Sequence, residues 1–167
     1  MHYTSIENIH KVIDPLFLDD LKAELDKIIE LKVFNTKKER IKDYIEKLSR
    51  LKFLDPACGS GNFLTETYIS LRRLENRALE ELYKEQVAMG ETTPIKVSIG
   101  QFYGIEINDF AVTVAKTALW IAESQTMKDT IKILHMNLDF LPLRSYANII
   151  EGNALRIDWK ELTNDSK

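Results

Sequence analysis

The sequence predicts an α/β fold: a partial parallel sheet with flanking helices, preceded by an N-terminal helical segment over residues 1–50. Three observations carry this. Leu51, Phe53 and Leu54 form a short apolar run with a strand's length and bulk, and a Gly-rich turn and a helical pattern follow at once. A second run, Phe102-Tyr103-Gly104-Ile105-Glu106-Ile107, reads as a parallel strand covered on both faces. Long amphipathic patterns follow each run, so strands alternate with helices.

Taken in order, Tyr3-Thr4-Ser5 precedes a helical pattern with Ile6, Ile9 and Ile13 on one face. Asp14 is expected to cap a second helix with Pro15 at its first position. Leu18, Leu21, Leu25, Ile28 and Ile29 supply that helix's apolar face. Thr36 and Glu39 have capping-box spacing ahead of a third helix, with Ile41, Tyr44, Ile45 and Leu48 inward. The lysines and arginines of residues 37–50 read as its solvated face.

Asp55 stands at the carboxyl end of the first strand, where open α/β sheets bind ligands. Pro56 cannot donate to a ladder and ends the strand. Gly59 and Gly61 tolerate unusual backbone angles and present no side chain to a ligand. The next helix points its free N–H groups and positive dipole end into the turn. A dinucleotide fingerprint wants a third glycine at position 64, and the chain has Leu64, which argues against a tightly held pyrophosphate.

The helix after the turn is expected to begin at Phe63. It keeps Leu64, Tyr68, Leu71, Leu74 or Glu75, Ala78, Leu79 and Leu82 inward, and Arg72, Arg73, Glu80 and Glu81 outward. Gly90, Thr92, Thr93 and Pro94 break the pattern. Glu106, near the end of the second strand, is placed to accept two hydrogen bonds from a ribose diol. Asp109 is expected to cap the next helix, Asp109 to Glu123, with a small-residue face of Ala111, Val114, Ala115, Ala118, Leu119 and Ala122. Ile107 and Phe110 flank the turn and suit an adenine ring, or the core. Trp120 reads as core or interface, and His135 as structural. Ala147 to Ile150 reads as a third strand leading into Glu151-Gly152-Asn153-Ala154-Leu155, where the Asn153 side-chain oxygen suits an adenine amino group.

The composition narrows the class. A chain of 167 residues suits one domain with a real core. The single Cys58 excludes an internal disulfide and fits a reducing cytoplasm, and it reads as a small filler in the loop. No apolar run is long enough to span a bilayer, and no His/Cys/Asp cluster has metal-ligand spacing. A net charge of −3 is unlike a nucleic-acid-binding surface.

Asp55-Pro56-Ala57-Cys58-Gly59-Ser60-Gly61-Asn62-Phe63-Leu64 resembles motif I of S-adenosylmethionine-dependent DNA methyltransferases that modify exocyclic amino groups. The likeness is to the adenine-specific (N6), MmeI-like enzymes of type I–IIG restriction–modification systems. Tyr3-Thr4-Ser5 is similar to the family's motif X, Glu106 matches its motif II acid, and residues 151–155 resemble motif III. Motif X ahead of motif I gives the γ order. The resemblance implies a Rossmann-like class I methyltransferase fold and S-adenosylmethionine as cofactor. It implies cofactor contacts from Tyr3, Thr4, Asp55, Pro56, Ala57, Cys58, Gly59, Gly61, Phe63, Leu64, Glu106, Ile107, Asn153 and Ala154, with Thr4 and Ser5 offered to the methionine carboxylate.

No Asn-Pro-Pro-aromatic motif occurs in these 167 residues, so no catalytic residue is assigned. The expectation is residues 1–50 carrying motif X, then 51–167 as the cofactor-binding half of a catalytic domain, truncated before motif IV. The intact enzyme would meet double-stranded DNA through regions missing here, beside the rest of the methyltransferase and a target-recognition domain, in a prokaryotic cytoplasm and away from membranes. Two alternatives stand beside this reading. A nicotinamide-binding half of an oxidoreductase would bind NAD. A non-enzymatic helical interaction module would leave the melting temperature indifferent to S-adenosylmethionine.

Overall fold

The computed structural model describes residues 4–84, 95–134 and 147–163. Tyr3, the break expected near Gly90, His135 and Pro142 lie outside them. Helix α1, Ile6–Ile13, starts at Ser5, whose hydroxyl accepts the Asn8 N–H at 3.3 Å. Asp14 does not open a separate helix as expected. The chain runs through Asp14–Leu18 as one π turn, the Asp19 N–H bonding back to the Asp14 carbonyl, and enters α2, Asp19–Ile29. Pro15 explains this: it lacks an N–H and crowds the preceding turn, and the wider π spacing accommodates it without stopping the helix. The buried stripe Ile9, Ile13, Leu18, Leu21, Leu25, Ile28 steps by five residues across that turn, and the extra residue absorbs the step.

Helix α3, Phe34–Arg50, begins earlier than expected. Thr36 falls inside its first turn, so the Thr36–Glu39 capping box does not form; Val33 takes the cap position, its carbonyl accepting the Lys37 N–H at 2.9 Å. Ile41, Tyr44, Ile45 and Leu48 are buried as expected, and the Tyr44 hydroxyl donates to the Leu21 carbonyl of α2 at 2.9 Å. Several cations of α3 are held by carboxylates: Lys37 by Glu81 at 2.9 Å, Lys47 by Glu24 at 2.5 Å, Arg50 by Glu46 at 3.3 Å.

Strands β1 (Phe53–Asp55), β2 (Phe102–Glu106) and β3 (Asn148–Glu151) form a parallel sheet in that order. Phe53 pairs with Phe102 and Asp55 with Gly104, while Glu106 pairs with Glu151. The in-register Phe53 and Phe102 rings stack at 5.3 Å, with Phe17 of the π turn 5.0 Å from Phe53 and Tyr68 edge-on to Phe102 at 5.5 Å. These rings join the N-terminal segment to the sheet. Helix α4 (Asn62–Lys84) connects β1 to β2, and α5 (Asp109–Leu134) stands between β2 and β3.

Arg72 is not outward as expected. It is 1% exposed, paired with the fully buried Glu75 and donating to Thr130 of α5 at 2.6 Å. Glu75 also accepts the Lys96 and Val97 N–H groups at 2.6 and 3.1 Å, holding the chain as it approaches β2. Helix α5 runs past Glu123 because Thr126 and Thr130 continue its buried face, their hydroxyls bonding back to the Ala122 and Thr126 carbonyls. Gln101 closes the other end of the sheet, donating to the Leu48 and Leu51 carbonyls at 2.8 Å each and so capping α3. Among the described residues, no helix is long and apolar enough to cross a membrane.

Candidate functional site

Parallel pairing puts the ends of β1 and β2 side by side, so Asp55 and Glu106 share one rim. The Gly-rich turn is pinned across that rim. The Cys58 N–H donates to the Ile105 carbonyl at 3.1 Å, and the Gly59 N–H donates to Glu106 Oε2 at 2.9 Å. The other carboxylate oxygen of Glu106, Oε1, accepts the Asn108 N–H at 3.0 Å, and the Glu106 backbone carbonyl accepts the Gly152 N–H at 2.9 Å. Glu106 therefore knots three segments: the Gly-rich turn, the entry to α5 and the exit from β3.

Asp55 Oδ1 accepts the Ala57 N–H at 3.0 Å, a local turn that keeps the carboxylate at the strand's end. Burial pushes its pKa up, the Ala57 hydrogen bond works against that, and the nearby Glu106 charge adds to it. Burial, with Asp55 and Glu106 adding, pushes the Cys58 thiol up to about 11. Cys58 thus stays a thiol at neutral pH, which is a filler's chemistry and not a nucleophile's.

The two glycines serve different ends. Gly59 (φ +52°) has nothing within 4 Å of where a Cβ would stand, so it opens toward ligand space. Gly61 (φ +79°) faces protein: a Cβ there would come within 2.8 Å of Ala115 Cβ in α5. Gly61→Ala is therefore expected to lower stability by about 2–4 kcal/mol, from overpacking plus the left-handed backbone, and Gly59→Ala by only about 1 kcal/mol. Urea unfolding of the two variants checks the contrast.

The candidate residues divide accordingly. Asp55, Pro56, Ala57, Gly59, Glu106 and Ile107 lie at the rim, with Ile107 and the neighbouring Phe110 about 70% exposed (71% and 69%). Cys58 and Leu64 are brought to the same place but face β2, packing where a side chain at Gly104 would otherwise stand. Phe63 is half-buried against the core. Asn153 is exposed beyond β3; its side-chain oxygen accepts the Leu155 N–H at 3.0 Å, and the Ala154 carbonyl accepts the Trp159 indole N–H at 2.8 Å. Thr4 is half-buried just ahead of α1.

The expected cap at Asp109 is a residue out: Asn108 caps α5, its side-chain oxygen accepting the Ala111 N–H at 3.0 Å, and Asp109 is the first helical residue. Asn108 satisfies the cap geometry because the turn after Glu106 leaves it just outside the helix. Trp120 is 53% exposed on α5. Sequence reasoning missed Asn108 and the role of Ala115. The small-residue face was visible, but its partner in the Gly-rich turn was not. Among the described residues, no group of three or more His, Cys, Asp or Glu is placed to hold a metal ion.

A parallel sheet with a Gly-rich turn after one strand and an acid ending the next defines a Rossmann-like α/β domain. Residues 31–167 match the family model described as "MmeI, DNA-methyltransferase domain", and the chain belongs to that family. It is similar to DNA methyltransferase A of Bacillus subtilis (strain 168), 43% identical over 165 residues, which are 97% of this chain and 18% of that protein. It is also similar to the solved structure of the type IIL restriction–modification enzyme MmeI in complex with DNA. That match has a TM-score of 0.85 and 37% identity, and covers 96% of this chain and 21% of the other. A shorter match, 31% identical over 74 residues, links 43% of the chain to 5% of the adenine-specific methyltransferase PglX of Streptomyces coelicolor. The chain thus spans about a fifth, or less, of the length of these relatives.

Proposed function

We propose that this chain is the S-adenosylmethionine-binding part of a site-specific DNA adenine-N6 methyltransferase of a restriction–modification system. The carrying observation is the knot at Glu106. Its two oxygens each accept one backbone N–H, and each keeps a second lone pair for a ribose diol. Asp55 suits the cofactor's ammonium, because a cation relieves the burial that disfavours its charge. The open space at Gly59 fits a nucleoside lying close to the backbone, and exposed Ile107 and Phe110 suit its adenine face. Asn153 and Ala154 serve the adenine edge, and Thr4 and Ser5 the methionine carboxylate. When bound, S-adenosylmethionine supplies an electrophilic sulfonium methyl, and these side chains align it.

Residues 1–50 act as the helical segment over the cofactor's methionine end, and 51–167 as the cofactor-binding half. The DNA in the MmeI complex and the adenine specificity in PglX's name support adenine in double-stranded DNA as the target. The net charge of −3 agrees with DNA contacts and target recognition being carried by other regions, and the lone buried Cys58 suits a reducing cytoplasm.

Isothermal calorimetry with S-adenosylmethionine and a tritiated-methyl assay on duplex DNA test both halves. The chain is expected to bind the cofactor and transfer little or no methyl, since it contains no Asn-Pro-Pro-aromatic motif. Absence of binding overturns the first half, and robust DNA methylation the second. The affinity is expected to fall on acidification as Asp55 takes up a proton, in a window above the ordinary carboxylate value, because its folded pKa is raised. The sign for stability is opposite: a carboxylate with a raised folded pKa favours the cofactor-free fold at low pH, and that contribution is lost as pH rises through the raised value.

A further inference from the structure

His10 in α1 sits with its ring between two carboxylates. Nδ1 is 2.7 Å from Asp14 Oδ1 in the π turn, and Nε2 is 2.9 Å from Glu66 Oε1 in α4. A neutral imidazole has one N–H, so it satisfies one carboxylate and turns a lone pair on the other. The imidazolium donates to both. We propose that protonated His10 is a positioning residue, a latch that holds the N-terminal helix on the start of α4 and makes cofactor affinity depend on pH. The proposal rests on the cofactor reading given above.

The place of the latch gives it leverage. Glu66 is 7% exposed and lies four residues past Asn62, where α4 leaves the Gly-rich turn. In the same turn of helix the Thr65 N–H bonds the Gly61 carbonyl at 2.8 Å. Thr4 and Ser5 lead directly into α1. A loosened α1 is therefore felt within one helical turn of the ligand rim and at the segment assigned to the methionine end.

The charges facing this site come from four elements. Asp14 belongs to the π turn; Lys22 of α2 stands 3.7 Å from Asp14, with Asp19 3.6 Å from the same lysine. Glu66 belongs to α4, with Arg73 3.8 Å from its Oε1. On α1 itself Glu7 is paired with Lys11 at 3.1 Å. Lys22 and Arg73 stand 3.7 and 3.8 Å from the same two oxygens the ring uses, Asp14 Oδ1 and Glu66 Oε1, so they temper the field on the ring from longer range than the 2.7 and 2.9 Å ring contacts. The balance raises His10, chiefly through the Asp14 hydrogen bond and then Glu66 against burial, and it lowers Asp14, chiefly through His10. With its folded pKa raised, His10 contributes stability that is complete below about 6.5 and is lost as pH rises through the folded value.

The test uses the 167-residue chain. An NMR titration of the His10 ring should show a midpoint above 6.5, with both nitrogens protonated below it. Calorimetry with S-adenosylmethionine from pH 6.5 to 8.5 should then compare wild type with Glu66→Gln, whose amide accepts a neutral imidazole as partner. Wild type is expected to lose several-fold more affinity across that range than the variant. The ligand's own ammonium titrates identically in both proteins and cancels in the ratio. Asp14→Asn relieves the other carboxylate and should flatten the profile likewise, should Glu66→Gln not fold. A His10 midpoint at the ordinary value, or parallel pH profiles, overturns the latch. A wild type that binds no S-adenosylmethionine at any pH overturns the cofactor reading and the coupling with it, while the ring titration still judges the latch separately.

Discussion

Glu106→Gln is expected to weaken S-adenosylmethionine binding by at least about 100-fold. Both Glu106 oxygens accept backbone N–H groups, from Gly59 and from Asn108. A glutamine supplies one oxygen; its NH2 must face one of those donors, so either the Gly-rich turn or the entry to α5 is released. The ribose loses a charged acceptor as well. Hydrogen bonds to charged groups contribute about 1.5–3 kcal/mol each, and two of them account for a loss of that size or more. S-adenosylhomocysteine, which keeps the ribose and lacks the methyl, should weaken in parallel. Glu151→Gln is the control: Glu151 pairs with Glu106 in register, but its side chain is exposed. Calorimetry on both variants decides the matter, and equal affinities would remove Glu106 from the site.

Arg72→Met is expected to have the largest effect on stability, a loss of about 3–5 kcal/mol. The substitution keeps the volume but leaves Glu75 fully buried with no cation, and it takes a donor from Thr130. For a chain of this length that corresponds to a fall of about 10 °C in melting temperature. Glu75→Gln should cost less, because its amide oxygen still accepts the Lys96 and Val97 N–H groups. Arg73→Met, one residue away with its side chain 71% exposed, should stay within about 0.5 kcal/mol of wild type. Urea denaturation of the three variants checks the order.

The contrast between Arg72 and Arg73 marks where the sequence is legible. Periodicity places Leu71, Leu74, Leu79 and Leu82 inside, because apolar spacing is local information. It assigns Arg72 and Arg73 alike to solvent, because the reason for burying Arg72 lies on another helix at Thr130 and in its pairing with the buried Glu75. The same division holds at the site. Asp55, the turn and Glu106 were readable from the chain, and the sheet brings them to one rim. What escaped were groups whose work depends on partners far along the chain: Gln101 capping α3, His10 bridging to α4, and Ala115 behind Gly61. The helix starts missed at Asp14, Thr36 and Asp109 have a simpler cause. Backbone geometry sets the starts: the helix runs on through the π turn at Asp14, α3 begins early on Val33 with no side-chain cap, and at Asp109 the cap falls one residue back on Asn108.

The contact between Gly61 and Ala115 also constrains how this lineage can vary. Position 61 is held small by a neighbouring helix and by its own left-handed backbone. Any mutation that adds a methyl at 61 requires a compensating deletion at 115, and glycine inside α5 would itself cost about 1 kcal/mol of helix propensity. Homologues with different ligands should therefore still carry this pair of small residues, whereas at position 59 the backbone angle and the open space before it set the limit.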